Sequence, residues 1–128
     1  MSEYMMKIGE LRTYSRRINL VAKVLEVGEP REVSSSSDNK IHQVAEVLIG
    51  DSTGTVLLTL WDENVGKFNE GEIVEIENGY SGTFRGRLRL NIGKYGNIRK
   101  VDKEIEEIDE ENNMSERDFG TNFRRRRR

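Results

Sequence analysis

The chain has 128 residues, with 21 basic and 23 acidic side chains, a formal charge of −2 and no cysteine. That length suits one domain of ordinary size, and the lack of cysteine excludes disulfides and thiolate zinc sites. Hydrophobic residues make up 34%, which fits a compact core plus a polar tail better than a uniformly sparse core.

No apolar run is long enough to span a bilayer, and the N-terminus lacks the apolar core of a signal peptide. A soluble, cytoplasmic protein is therefore expected. Charge is segregated along the chain. Residues 102–128 hold nine acids and seven bases, leaving fourteen of each in residues 1–101. Within that body, 62–77 carries six acids and one lysine, whereas 80–101 carries six bases and no acid. Such segregation can build a positive face on a nearly neutral chain.

In chain order, residues 7–17 come first. Ile8 and Leu11, three apart, suit a helical turn that plugs a barrel end. Residues 18–27 read as the first strand, with Ile18, Leu20, Ala22 and Val24 on one face and Asn19, Val21 and Lys23 on the other. Gly28-Glu29-Pro30 ends it, and 31–40 reads as a polar loop rich in serine and breaker residues. Strands are predicted at 41–49 and 55–61, joined by the turn Gly50-Asp51-Ser52-Thr53-Gly54. In the later of these, Val56, Leu58 and Leu60 oppose Leu57, Thr59 and Trp61. Residues 62–70 lose the alternation and fit a short helical turn. A fourth strand is expected at 72–77, a glycine-rich loop at 78–86 and a fifth strand at 87–92, where Leu88, Leu90 and Ile92 oppose Arg87, Arg89 and Asn91.

Five short strands with one insert point to an all-β fold, a five-stranded Greek-key barrel whose closure removes most exposed edges. This domain takes residues 1–102. Residues 103–128, acidic, then polar, then five arginines, read as a disordered tail, because they bury too little apolar surface to offset ordering entropy.

No reaction centre is visible. His42 is the only histidine, so a catalytic triad or histidine-rich metal site is not available. Asp51-Ser52-Thr53-Gly54 has the look of a metal-loop fragment but lacks further ligands, and reads as a hairpin turn. Gly79, Gly82 and Gly86 match no phosphate-binding loop. No enzyme activity, metal or cofactor is expected. Binding chemistry is better supported. Trp61 has outward parity, Tyr80 and Phe84 fall in the glycine-rich loop, and Arg85, Arg87 and Arg89 alternate outward, with Lys94 beyond. Rings that stack bases and cations that follow phosphates are what a single-stranded nucleic acid requires. Tyr95 lies beyond these positions and reads as packing near the barrel's end.

Gly50-Asp51-Ser52-Thr53-Gly54-Thr55-Val56-Leu57-Leu58-Thr59-Leu60-Trp61, then Glu70-Gly71 through Tyr80, then Phe84-Arg85-Gly86, resembles the single-OB-fold single-stranded DNA-binding proteins of archaea. The same stretches are similar to the small human single-stranded DNA-binding proteins. Lys7-Ile8-Gly9-Glu10-Leu11 and residues 19–26 also fit. The resemblance implies an OB-fold in which Trp61, Tyr80 and Phe84 stack bases, with Arg31 and Val33 near further contact positions. It also has departures. Asn91 stands where the human relatives carry another aromatic, His42 falls about where archaeal relatives have a basic residue, and the acidic tail differs from the glycine- and arginine-rich archaeal one.

The resulting expectation is a monomer that binds single-stranded DNA with little sequence preference and protects it in replication or repair. Arg31, Val33, Arg85, Arg87, Arg89 and Lys94 line its cleft. Alternatives are a single-stranded RNA-binding module and a protein-interaction subunit of a larger complex. Protein partners reached through the C-terminal tail are a further expectation.

Overall fold

The computed structural model describes residues 5–12, 14–35, 39–84, 86–92 and 95–116. Its strands are β1 (Ile18–Val27), β2 (Arg31–Ser35), β3 (Lys40–Asp51), β4 (Gly54–Trp61), β5 (Ile73–Phe84), β6 (Arg87–Asn91) and β7 (Asn97–Lys100). Hydrogen bonding runs β1–β3–β4–β6–β5, and β5 returns to β1, so five strands close into a ring. Every pairing in the ring is antiparallel except β4–β6, which is parallel. These five are the strands expected from alternation. β2 adds to β3, and β7 adds to β5.

One face of each ring strand fills the interior. Ile18, Leu20, Ala22 and Val24 of β1, Val56, Leu58 and Leu60 of β4, and Leu88 and Leu90 of β6 all lie in one buried cluster. The turn at Ile8–Glu10 places Ile8 and Leu11 in the same cluster, as their spacing predicts. Buried Asp51 holds this plug in place. Its Oδ2 accepts the Ile8 N–H at 3.0 Å, and its Oδ1 accepts the Thr53 N–H at 2.8 Å and the Thr53 hydroxyl at 2.6 Å. Thr53 Oγ1 in turn accepts the Gly9 N–H at 2.8 Å. A carboxylate so fully supplied with donors is a structural fastening. The stretch 51–54 is thus a turn, and no group of three or more metal-ligating side chains occurs among the described residues.

The structure departs from the sequence expectation in four places. Residues 31–35 form a strand, pairing from Arg31↔Val44 to Ser35↔Lys40. The serine-rich segment has no apolar alternation of its own, and β3 supplies the ladder. Second, β5 does not end at Glu77 but continues through Phe84. Asn78 has φ +56°, and the β1 register jumps between Leu20↔Ile76 and Ile18↔Gly79. That is a bulge, not a loop. It lets one strand pair with β1 and β7 before it and with β6 after it,. Third, β7 has only Ile98 buried, too little to show a period. It is fastened to β5 by Arg99–Glu75 at 2.9 Å, and its Lys100 reaches Glu72, just before β5, at 3.3 Å.

The fourth departure is the segment expected to be a free tail. Residues 108–116 lie against the barrel, while 117–128 lie outside the described residues. The Thr55 N–H donates to Asn112 O at 2.9 Å, and Asn112 Nδ2 donates to Thr53 O at 2.8 Å. The Leu57 N–H donates to Ser115 Oγ at 2.8 Å, and that hydroxyl donates to Leu88 O at 2.6 Å. Ser115 thus bridges β4 and β6 beside Leu58↔Leu90 and Thr59↔Asn91, the two pairs of their parallel ladder. Gly50 and Gly54 make room for the segment. A Cβ at Gly50 would meet Ile108 Cγ2 at 2.7 Å, and one at Gly54 would meet Asn112 O at 2.7 Å. Its one buried apolar side chain, Met114, anchors it beside buried Ser115, each only 2% exposed. Composition counts the many charges and misses one methionine with complementary hydrogen bonds.

Replacing Met114 with alanine should therefore lower unfolding stability by about 2–5 kcal/mol, the usual loss for a buried methionine. Urea denaturation of the Met114→Ala protein reads this directly; an unchanged midpoint would show that the segment is not packed.

Candidate nucleic-acid interface

The outward faces of β2, β3, β4, β5 and β6 enclose one groove, together with the segment 14–17 and Tyr95. Strand alternation decides what enters it. On β4, burying Val56, Leu58 and Leu60 turns Thr59 and Trp61 into the groove. Trp61 is 41% exposed. On β5, Tyr80 and Gly82 line it, and Tyr80 is 44% exposed. Tyr80 pairs with Asn91 of β6, and Asn91 lies beside Thr59 of β4, so the floor between the two rings is short and polar.

His42 and Asp62 flank Trp61. The His42 ring stands edge-on to the indole, with centroids 6.1 Å apart and planes at 78°. His42 Nδ1 donates to Asp62 Oδ2 at 2.8 Å, and Asp62 Oδ1 accepts the Gln43 N–H at 3.1 Å. Asp62 thereby fixes the histidine that borders the indole.

The arginines divide between groove and scaffold. Arg31 and Val33 of β2 line the groove, where the family resemblance put contacts, although on a strand. Arg89 also lines it, but its Nε donates to Glu46 Oε2 at 3.0 Å. Arg87 is exposed at the start of β6, beyond the groove lining. Arg99 and Lys100 belong to the β7 ion pairs. The six-to-zero charge count of 80–101 therefore overstates the positive charge delivered here. Arg85 and Lys94 lie outside the described residues, as does the Phe84 side chain; the Phe84 backbone closes β5 opposite Arg87.

Positive charge comes instead from a segment that sequence reasoning passed over. Arg16 and Arg17 line the groove, with Tyr14 and Ser15. Buried Ser81 of β5 fastens this segment. The Ser81 N–H donates to Ser15 O at 2.9 Å, the Ser15 N–H donates to Ser81 Oγ at 2.9 Å, and the Ser81 hydroxyl donates to Arg12 O. Four arginines among the lining residues thus face two carboxylates, Glu46 and Asp62, each already paired with a neighbour. Tyr95, expected only to pack near the barrel's end, lines the groove and is 81% exposed. The adjacent Tyr14, Arg16 and Arg17 form a ring-and-cation cluster in the sequence, and this is the local signal for this part of the groove.

Together these features define a small Greek-key barrel with an open groove of aromatic and cationic side chains. The family described as single-stranded DNA binding protein Ssb-like, OB fold, matches residues 11–100, and the chain belongs to this family. Over 98 residues it is 34% identical to the single-stranded DNA binding protein Ssb of Saccharolobus solfataricus, a match covering 77% of this chain and 65% of that relative. The chain thus spans just under two thirds of that relative's length. The solution structure of a hypothetical protein from Arabidopsis thaliana is 26% identical with a TM-score of 0.77, over 98% of this chain and 92% of that one. The second OB-fold domain of replication protein A from Methanococcus maripaludis is 27% identical with a TM-score of 0.64, over 80% of this chain and all of that domain (100%). The family is one of single-stranded DNA-binding proteins. Among the described residues no helix is long and apolar enough to cross a membrane.

Ser81→Ala removes an acceptor from the Ser15 N–H and a donor from Arg12 O. A buried group left unpaired costs about 1–3 kcal/mol. Amide hydrogen exchange at Ser15 should accelerate while exchange in β1 stays slow; equal protection in both proteins would mean that Ser81 does not hold this rim.

Proposed function

We propose that the protein, as a cytoplasmic monomer, binds single-stranded DNA with little sequence preference in this groove, keeping exposed strands covered during replication or repair. The supporting observation is the pair of half-exposed rings, Trp61 and Tyr80, set across a short polar floor and bordered by arginines. Bases stack on such rings whatever their identity, because each base has a π-face, and each stack contributes about 1–3 kcal/mol. Phe84, at the end of the same strand as Tyr80, is the third ring in this reading. Arg16, Arg17 and Arg31 follow the phosphates, and Val33 meets the strand's apolar edges. The Saccharolobus relative is named for single-stranded DNA binding, and its likeness to this chain supports the same ligand.

Titration of labelled oligo-dT, read by anisotropy, tests the reading. Trp61→Ala should weaken binding at least about fivefold, the equivalent of one lost stack. With three arginines on phosphates, log affinity should fall against log salt with a slope near about −2, taking roughly −0.7 per contact on a single strand. Flat titrations with dT at low salt, or stronger competition by rU oligomers, would reject DNA as the ligand.

Glu46→Gln removes the carboxylate that neutralises Arg89 within the groove. Affinity for dT should rise a few-fold at low salt, at most about 1 kcal/mol for a partly exposed pair, and the gain should shrink as salt increases. No gain at low salt would show that Arg89 is held away from the DNA path.

A further inference from the structure

Left-handed backbone is concentrated at the groove. Among the described residues, five that are not glycine have positive φ: Tyr14, Arg17, Asn39, Asp62 and Asn78. All but Asn39 line the groove. For Tyr14 (φ 62°) and Arg17 (φ 55°) this conformation is unfavourable, because their Cβ crowds the backbone. Such conformations persist where the surroundings over-determine them, and they cluster at ligand-binding sites. Ser81 holds Arg12 and Ser15, the neighbours of this ring and these arginines, along the groove's rim.

The two most exposed rings in the described structure line the groove. Tyr14 is 76% exposed and Tyr95 is 81% exposed. They reach the groove from different parts of the chain. Tyr14 lies beside β5, its hydroxyl 3.4 Å from Thr83 Oγ1. The turn carrying Tyr95 is tied to the β5 bulge, where Asn78 Nδ2 donates to Tyr95 O at 3.3 Å. Both therefore belong to the β5 side, with Tyr80, whereas Trp61 stands on the β4 side next to β3. Asn78 and Thr83 stand on either side of Tyr80 along β5, so the two rings border Tyr80 from opposite ends of that stretch, with Arg16 and Arg17 lining the groove beside Tyr14.

Resting on the reading of the groove as a single-stranded DNA site, we infer that Tyr14 and Tyr95 are two further stacking positions, one on each side of Tyr80 along β5. They take nucleotides beyond those held at Trp61 and Tyr80, with Arg16 and Arg17 on the phosphates beside Tyr14. The site is then longer than its central rings alone make it, and the added affinity depends on oligomer length.

The test is a series of dT oligomers from about 4 to about 16 nucleotides, the span one such barrel covers, measured against the full chain by anisotropy. For the Tyr14→Ala, Tyr95→Ala double variant, the longer oligomers should bind at least about tenfold more weakly. The shortest that bind the wild-type protein should keep their affinity. Tyr14→Phe with Tyr95→Phe retains the rings and should bind like wild type at every length, which separates stacking from the Thr83 contact. Arg16→Ala should reduce the salt slope by about 0.7 for long oligomers. Thermal denaturation confirms that the variants, altered at exposed positions, remain folded. Wild-type affinity of the double alanine variant for long oligomers would overturn the inference and leave the groove's proposed function standing; so would an equal loss at every length. Failure of the wild-type protein to bind dT of any length would overturn both.

Discussion

The groove depends on one constraint: the period-two alternation of β4 and β5 around a single apolar interior. Burying Val56, Leu58 and Leu60 is what turns Thr59 and Trp61 outward. A one-residue slip would exchange the two sets. Each of those three side chains gains about 1.5–3 kcal/mol from burial, so a slip in β4 alone would cost about as much as the whole net stability of a small domain. Trp61 is thus held outward by the residues beside it. Its own exposure is the smaller term, and the core sets where the binding surface lies.

Closure of the ring then brings distant segments to that surface. β5 carries most of the load. Its bulge at Asn78 divides a twelve-residue strand into a half that pairs with β1 and β7 and a half that pairs with β6 and presents Tyr80. At the opposite end of the barrel, the Asp51–Gly54 turn gathers the plug at Ile8 and the segment around Asn112. The two ends are built differently. One is fastened by buried polar groups with all their partners, and the other is left open and lined by rings and arginines. The ion pairs follow the same division. Glu72 and Glu75 hold Lys100 and Arg99 to the scaffold, and the carboxyl of Glu72 sits below its usual range chiefly because the Asn69 N–H donates to it, with Lys100 adding to the effect.

What was legible in the sequence follows from what alternation can report. β1, β3, β4 and β6 each carry several inward apolar residues, and their expected positions agree with the structure to within a residue or two. β2 and β7 carry almost none and exist because a neighbouring strand offers its backbone; single-sequence periodicity does not register that. Asn78-Gly79 has the composition of a turn, yet the same freedom of φ serves a bulge inside a continuing strand. Trp61, Tyr80, Arg31 and Val33 line the groove, the last three from strands where loops were expected. The charge count of 80–101 was a weaker guide, since ion pairing sends Arg99 and Lys100 to β7 and occupies Arg89 with Glu46. Arg16 and Arg17 enter through a contact between residues 66 apart, Ser15 and Ser81, which no local pattern contains.

The most direct measurement of the central claim, that this groove is the DNA-binding face, is amide chemical-shift mapping on addition of a dT oligomer. The account predicts the largest changes at residues 15–17, at Val33, at 59–61 and at 80–82, with β7 and residues 108–116 little affected. Changes centred on β7 or on the 108–116 segment, with the groove amides unmoved, would contradict it.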